Sequence, residues 1–235
     1  METFNLDLAQ PRKVLGIQYL TKDAFVLTME RRGLKFDAGR HIAVGVPGDE
    51  TREYSIYSGE QDDYLQILVR RVTGGRVSKK LADLQPGDPV MVRGPKGRFR
   101  LSHSQPGEKL LFVATGTGVA PFRCFLRSQP HLDYTLVHGV RRAEENFGSE
   151  FANPQRLILC LSKDLPDRVQ QNSSETLSPS TTLVGGRVTH WLEKQDFPAH
   201  TRAFLCGNEA MLNEVYDLLI TKDFTDDRIH REKYF

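Results

Sequence analysis

Hydrophobic and polar positions alternate with a period of two through most of the first hundred residues. The runs are rich in β-branched residues and are separated by Gly, Pro and acidic turns, which is typical of short strands. One segment differs, because Val77, Leu81 and Leu84 follow a helical spacing. Short strands at intervals of about 8–12 residues predict a small antiparallel β-barrel with one inserted helix. The predicted strands are 13–20, 24–29, 41–46, 52–57, 64–72 and 89–93.

The pattern changes near residues 102–108, after which short apolar runs alternate with helical patterns. This alternation predicts βαβ units and a parallel sheet. The predicted strands are 109–114, 134–139, 157–161 and 203–206, and the predicted helices are 121–128, 144–152, 188–193 and 209–220. Residues 170–182 are rich in Ser and Thr without periodicity and are expected to form a surface loop. We therefore expect two domains, a β-barrel over 1–102 followed by an α/β domain over 103–235.

Composition narrows the functional classes. The 235 residues suit two lobes of about 100–130 residues each. With 32 basic and 30 acidic residues, the net charge of +2 gives no support for nucleic-acid binding. No apolar run approaches the roughly 20 residues that a membrane span needs. No targeting segment is visible at the N-terminus, so we expect a cytoplasmic protein, and nothing in the chain indicates more than a monomer.

The cysteines and histidines argue against a metal centre. Cys124, Cys160 and Cys206 are far apart, so they cannot form a four-thiolate zinc or iron–sulfur site. An odd, sparse set also argues against a disulfide framework and favours a reducing compartment. The seven histidines are scattered, and we assign no metal site.

A glycine-rich turn joins the first strand of the second half to the next helix. Gly116 and Gly118 lie in the turn, and Pro121 stands in the first turn of the helix, where a missing N–H costs little. Such a turn lets a phosphate approach backbone N–H groups at the positive end of a helix. Pro121 replaces the third glycine of the dinucleotide fingerprint, so a plain tight turn is the alternative interpretation.

Basic residues follow three successive predicted elements of the second half. Arg141 and Arg142 end the second strand, Lys163 follows the third, and Arg187 opens the next helix. NAD-binding βαβ units usually have an acidic residue after the second strand. Basic residues there suit a 2′-phosphate and favour NADP(H). The alternative is that each is an ordinary solvated charge.

Two short motifs in the first half have the chemistry of a nucleotide site. Strand alternation places Arg52 and Tyr54 on one face, where a guanidinium could pair with a diphosphate and a ring could lie along a flat cofactor. Gly75, Arg76, Val77 and Ser78 follow a turn and begin the short helix, which offers free N–H groups to a phosphate. A Ser cap after a hairpin turn is the alternative.

Taken together, these motifs resemble those of the ferredoxin–NADP reductase superfamily. The resemblance covers nearly the whole chain and rests on six motifs in the same order. They are R-x-Y-S at 52–55, G-x-x-S/T at 75–78, G-P-x-G-x-F at 94–99, G-T-G-I/V-A-P-F at 116–122, H-G-V-R at 138–141 and C-G-x-x-x-M at 206–211.

The resemblance implies FAD on the barrel domain and NADP(H) on the α/β domain. It assigns Arg52 to the FAD diphosphate, Tyr54 to the isoalloxazine face and Ser55 to a hydrogen bond near flavin N5. It places Thr117 and Cys206 on the nicotinamide side. The remaining cofactor-binding residues that it implies are Val69, Arg70, Gly75, Arg76, Val77, Ser78, Gly116, Gly118, Arg141, Ser162, Lys163, Arg187 and Met211.

The C-terminus ends in two aromatic residues, Tyr234 and Phe235. Solvent-exposed tails are normally polar, so an aromatic pair is unusual there. The resemblance places Tyr234 on the flavin face and Phe235 near the adenine, and it implies that Tyr234 moves aside before the nicotinamide can stack. With Ser55 and Cys206, Tyr234 completes the implied catalytic set. A terminal strand packed on the sheet is the alternative.

The activity implied is hydride transfer between nicotinamide C4 and flavin N5, coupled to a one-electron carrier protein. Residues 70–100 contain nine basic and two acidic residues, a local balance of +7. A positive rim of this kind would steer an acidic carrier such as ferredoxin or flavodoxin. Alternatives are a reductase component of an oxygenase or heme system, a free flavin reductase, and a flavin-binding module without enzymatic activity.

Overall fold

The computed structural model describes residues 9–101, 107–164 and 177–234. The chain forms two compact units. The first contains Met1–Leu101 and Ala120–Ser128, and the second contains Ser102–Val119 and Gln129–Phe235. The assignment of FAD to residues 1–102 and of NADP(H) to residues 103–235 stays a prediction.

The first unit is an antiparallel barrel, as predicted. Its strands run in the order β4-β3-β6-β1-β2-β5, and a bridge between Ile56 and Ile67 joins the two edges. The strands are β1 Gln10–Thr21, β2 Ala24–Glu30, β3 His41–Gly45, β4 Arg52–Ser55, β5 Tyr64–Arg70 and β6 Pro89–Lys96. Helix α1, Arg76–Ala82, is inserted between β5 and β6.

Helix α2, Ala120–Ser128, belongs to the first unit although it directly follows the glycine-rich turn of the second. The Phe99 ring stacks on Phe125 at 5.8 Å and tilts against Phe122 at 6.1 Å. The Arg127 guanidinium makes a two-pronged ion pair with Asp62, with Nε–Oδ2 at 2.9 Å and Nη2–Oδ1 at 2.5 Å. Aromatic burial and a bidentate pair therefore hold α2 on the barrel.

The second unit is a parallel six-stranded sheet, also as predicted. Its order is β10-β9-β8-β7-β11-β12, and every neighbouring pair is parallel. The strands are β7 Leu110–Thr115, β8 Tyr134–Val140, β9 Leu157–Leu161, β10 Thr182–Gly185, β11 Arg202–Gly207 and β12 Ile229–Lys233. The helices are α3 Val188–Leu192 and α4 Glu209–Thr221, with short 3-10 turns at Gly116–Val119, Ala143–Glu145, Pro154–Arg156 and Asp226–Arg228.

Two local expectations were wrong. The helix expected over 144–152 is a single 3-10 turn followed by irregular turns. The Glu145 carboxylate caps the start of this turn by accepting the N–H groups of Arg141 and Arg142, but Asn146 leaves the helical region at ψ 71° and ends it. Strand β10 was not predicted, and its first residue lies in the expected loop 170–182, of which 170–176 fall outside the described residues. Strand β12 pairs with β11 and ends one residue before Tyr234, and the assignment of Tyr234 to the flavin face stays a prediction.

The strand order reverses beside β7. The chain moves from β7 outward through β8, β9 and β10, and then returns to place β11 on the other side of β7. Ligands of open α/β sheets bind outside the carboxyl ends of the strands at such a reversal. The glycine-rich turn after β7 and the end of β11 therefore meet where a dinucleotide is expected.

Candidate cofactor sites

Two guanidinium groups of the barrel unit converge on one carboxylate. Arg52 Nη2 lies 3.2 Å from Glu50 Oε2, and Arg76 Nη1 lies 3.2 Å from Glu50 Oε1. Both arginine side chains are about two-thirds exposed, at 67% and 70%. An anionic group therefore fits between them, which is the chemistry that the diphosphate of FAD requires. Neither the convergence nor Glu50 was apparent from the sequence.

The first turn of α1 is open to a ligand. Gly75 occupies the N-cap position, and no side chain caps the helix. The Ser78 hydroxyl instead accepts the Val72 N–H at 3.2 Å, which fixes the preceding loop. The backbone N–H groups of Arg76 and Val77 are therefore not capped by a side chain, whereas the Val77 and Ser78 side chains are buried. This favours backbone contacts over side-chain contacts by Val77 and Ser78.

The aromatic and serine residues of β4 differ in burial. Tyr54 is partly buried, and burial raises the pKa of its hydroxyl to about 12, so the phenol stays protonated. Ser55 is 2% exposed and lies opposite His41 in the ladder. On β5, Val69 is fully buried opposite Phe25, whereas Arg70 is partly exposed at the strand end. A contact from Val69 to a cofactor would therefore come from its backbone.

The glycine-rich turn packs directly on the end of β11. A Cβ added at Gly118 would lie 2.8 Å from the carbonyl carbon of Cys206 and 2.9 Å from Gly207 Cα. Gly116 adopts φ 53°, which favours glycine. The Thr115 hydroxyl oxygen accepts the backbone N–H of Asn208 at 3.2 Å. The ends of β7 and β11 therefore form one rigid surface, with Thr117 half-buried within its turn.

His138 stabilises this turn through a hydrogen bond to its backbone. It is fully buried, and its Nε2 lies 2.9 Å from the Gly116 carbonyl oxygen. Burial lowers the pKa of His138 to about 4, so the ring is neutral near pH 7 and the proton on Nε2 is donated to the carbonyl. The sequence indicated only a satisfied core or surface histidine, and the partner of the ring could not be read from it.

Cys206 and Tyr234, two of the three predicted catalytic residues, lie together in the second unit. The Tyr234 N–H donates to the Gly207 carbonyl at 2.8 Å, and its side chain hydrogen-bonds the Cys206 thiol. The thiol is fully buried, and burial together with Glu232 raises the pKa of Cys206 well above its usual value. The thiol therefore stays protonated. Phe235 lies outside the described residues.

Basic side chains follow three adjacent strands of the parallel sheet. Arg141 comes after β8, Ser162 and Lys163 come after β9, and Arg187 comes two residues after β10. The Lys163 N–H donates to the Arg141 carbonyl at 3.0 Å, and the Gly186 N–H donates to the Leu161 carbonyl at 2.7 Å. These bonds hold all four residues at the carboxyl edge of the sheet.

The cations at this edge differ in their ion pairs. Arg187 Nη1 lies 3.0 Å from Glu214 Oε1 and 3.3 Å from Oε2. The exposed side chains of Arg141 and Lys163 form no ion pair within the described ranges. A phosphate group would therefore meet two cations without an ion-pair partner among the described residues and one that already has a carboxylate partner.

Met211 lies in the hydrophobic core under β11, at 5% exposure. Its N–H donates to the Asn208 side-chain oxygen at 2.9 Å, so Asn208 caps α4. An Asn immediately before an apolar helical run is a cap signal that can be recognised in the sequence.

No group of three or more His, Cys, Asp or Glu side chains in the described part of the chain could hold a metal ion. Within the same ranges, none of the helices has the length and apolar character needed to cross a membrane.

Comparisons with known proteins place the chain among flavin-dependent reductases. Residues 18–101 match the family model of the oxidoreductase FAD-binding domain. The ferredoxin–NADP reductase of Azotobacter vinelandii is 27% identical over 228 residues, which span 88% of this chain and 87% of that protein. The reductase subunit of an aromatic O-demethylase from Amycolatopsis is 31% identical over 218 residues, spanning 86% of this chain and 61% of that protein.

A crystal structure supports the fold. The ferredoxin NADP+ reductase from Neisseria gonorrhoeae, solved with bound FAD and NADP, superposes with a TM-score of 0.79 at 21% identity and covers 97% of this chain and 99% of that one. Because an oxidoreductase FAD-binding domain matches the barrel and ferredoxin–NADP reductases match over most of the chain, this protein is an FAD-dependent oxidoreductase similar to the ferredoxin/flavodoxin–NADP reductases.

Proposed function

We propose that the protein transfers electrons between NADP(H) and a one-electron carrier protein, a ferredoxin or a flavodoxin. The observation that carries the proposal is the row of basic side chains at the ends of β8, β9 and β10, where a 2′-phosphate needs cations. When bound, FAD and NADP(H) supply the hydride transfer between nicotinamide C4 and flavin N5 and the one-electron steps to the carrier.

In the barrel unit, Arg52 and Arg76 bind the FAD diphosphate and release Glu50 from its position between them. The uncapped N–H groups of α1 add neutral donors to the same anion. Tyr54 packs its protonated ring along the flavin, and Ser55 donates a hydrogen bond near N5. Val69 and Arg70 contribute from the end of β5.

In the parallel-sheet unit, the turn of Gly116, Thr117 and Gly118 receives the nicotinamide half of the dinucleotide. Gly118 keeps the turn tight against β11, and His138 holds its carbonyl. Because Tyr234 lies on the Cys206 thiol, it must move before a nicotinamide can reach Cys206. We expect that deleting Tyr234 and Phe235 weakens discrimination between NADPH and NADH, and an unchanged ratio would exclude this gating role.

The 2′-phosphate is bound by the side chains that follow β8, β9 and β10. Arg141 and Lys163 supply positive charge, Ser162 supplies a hydroxyl, and Arg187 supplies a guanidinium fork. The guanidinium fork suits phosphate geometry, so Arg187 is expected to set most of the directionality.

The partner proposal rests on the charge of residues 70–100. Four carboxylates from outside this segment pair with its cations and reduce the local balance from +7 to +3; they are Asp23, Asp37, Asp49 and Glu50. Lys79, Arg93 and Arg98 are exposed and form no ion pair within the described ranges. These three are therefore the residues that we expect to steer an acidic carrier. The three cysteines are free and buried, which suits a cytoplasmic location.

Anaerobic titration of the purified holoenzyme tests the activity. We expect NADPH to bleach the visible flavin spectrum at much lower concentration than NADH, and Arg187→Ala to reduce that difference. Bound flavin that neither nucleotide reduces would indicate a binding module instead. Equal responses to both nucleotides would refute the 2′-phosphate site.

A reductase component of an oxygenase or heme system is the second candidate. It is favoured by the 31% identity to the reductase subunit of the aromatic O-demethylase. Turnover with an acidic ferredoxin or flavodoxin that falls steeply with ionic strength, and with Lys79→Ala or Arg93→Ala, supports the first candidate. Turnover with free flavin alone, insensitive to salt, would indicate a flavin reductase.

A further inference from the structure

The ion pair between Arg187 and Glu214 distinguishes one proposed phosphate contact from the others. Arg187 precedes α3 as its N-cap residue, and Glu214 lies in α4, which packs beside α3. Both carboxylate oxygens approach a single nitrogen, Nη1, at 3.0 and 3.3 Å. The side chains are 69% and 44% exposed, so both are accessible to a ligand.

The geometry leaves part of the guanidinium available. Glu214 engages Nη1, whereas a guanidinium also has donors on Nε and Nη2 that can form a fork to a phosphate. Glu214 therefore does not block Arg187. Its carboxylate compensates the arginine charge and stands close to the position of a phosphate that carries a charge of about −1.5 to −2.

We propose that Glu214 is a specificity-determining residue that limits the affinity for the 2′-phosphate and so sets the preference for NADPH over NADH. The inference rests on the proposed function, because it requires a 2′-phosphate at Arg187. An NADH molecule lacks this phosphate and does not encounter the carboxylate. The charge of Glu214 therefore acts on one cofactor and not on the other.

The test removes the charge and keeps the hydrogen-bond acceptor. Glu214→Gln retains an oxygen for Arg187, so the guanidinium keeps its orientation. The probes are 2′,5′-ADP, which carries the 2′-phosphate, and 5′-AMP, which does not, and their affinities for the holoenzyme are measured by calorimetry. We expect 2′,5′-ADP to bind to Glu214→Gln about 2- to 5-fold more tightly than to the parent protein. The gain is modest because the charge that is removed is partly exposed and screened by salt. The affinity for 5′-AMP should be unchanged.

Asp217→Asn is the matched control. Asp217 is an exposed acid on the same helix and is not the ion-pair partner of Arg187. We expect it to change the affinity for 2′,5′-ADP less than about 1.5-fold, because solvent and salt screen an exposed charge that does not pair with Arg187. An equal gain in Asp217→Asn would overturn the proposal, since a general charge effect would then explain the result. An unchanged or weaker affinity in Glu214→Gln would also overturn it.

The Arg187→Ala variant distinguishes a failure of the Glu214 proposal from a failure of the phosphate site itself. If it weakens 2′,5′-ADP binding but Glu214→Gln brings no gain, the role of Glu214 is wrong and the phosphate site stands. If Arg187→Ala leaves 2′,5′-ADP binding unchanged, the phosphate site itself is wrong, and the role of Glu214 is refuted with it. In Glu214→Gln, the ratio of kcat/KM for NADPH to kcat/KM for NADH should rise by about 2- to 5-fold, which is the gain expected for 2′,5′-ADP binding.

Discussion

Gly118→Ala tests whether close backbone packing holds the glycine-rich turn. An added Cβ would lie 2.8 Å from the Cys206 carbonyl carbon and 2.9 Å from Gly207 Cα. Carbon atoms normally stay about 3.5 Å or more apart, so the overlap is about 0.6–0.7 Å. The obstructing atoms are backbone atoms of a central strand, which cannot rotate away as a side-chain tip can.

The expected cost follows from this overlap. Overpacking of a well-packed core typically costs about 1–3 kcal/mol, and we expect about 2 kcal/mol here. For a chain of this size, 1 kcal/mol corresponds to a shift in Tm of about 2–4 °C, so Tm should fall by about 4–8 °C. Displacing the turn should also lower kcat/KM for NADPH about tenfold, because small misplacements of a bound reactant are costly.

Gly148→Ala is the matched control in the same unit. Its nearest neighbour, Leu157 Cδ1, would lie at an ordinary 3.4 Å from the new Cβ, and its φ is not in the left-handed region. We expect a change in Tm below about 2 °C, as for a substitution without a steric conflict. Thermal unfolding of both variants and of the parent, with NADPH kinetics, completes the test. A Tm for Gly118→Ala equal to that of Gly148→Ala would refute the packing argument.

Three further predictions follow from buried or paired groups. Because burial lowers the pKa of His138 to about 4 from 6.5, the unfolded chain binds a proton that the folded chain excludes; stability should therefore be full above about pH 7 and fall by about 3 kcal/mol as the pH drops from about 6.5 to 4. The urea unfolding midpoint should therefore depend on pH across this range, and His138→Gln should reduce that dependence. The same pH dependence in both proteins would contradict the prediction. Burial also raises the pKa of Cys124 and Cys160 to about 12, so an aromatic disulfide reagent should modify them only after unfolding; rapid labelling of the folded protein would oppose this. Asp62→Asn should destabilise the barrel unit by about 1–2 kcal/mol in denaturant unfolding, because it breaks the bidentate pair with Arg127; no change would mean that α2 is held by its aromatic contacts alone.

Much of the architecture is encoded locally. Two-residue alternation predicted the strands of the barrel, and apolar runs between helical patterns predicted the parallel sheet, since burial on one or both faces imposes those periods on the sequence. The turn at Gly116 was also recognisable from the sequence, because a backbone at φ 53° favours glycine. The helix expected over 144–152 was wrong because Asn146 leaves the helical region directly after the turn that Glu145 caps, and residue spacing alone could not reveal this.

The sequence by itself therefore determined the two folds, the order of the motifs and the residue types available for FAD and NADP(H). Only the tertiary structure decided which groups meet. It placed Glu50 between Arg52 and Arg76, set Gly118 against the backbone of Cys206, and paired Arg187 with Glu214. The physical reason is that period and turn chemistry are short-range properties of the chain. The pairing of charges and the packing of backbones depend instead on strand order, which brings together residues that lie far apart in sequence.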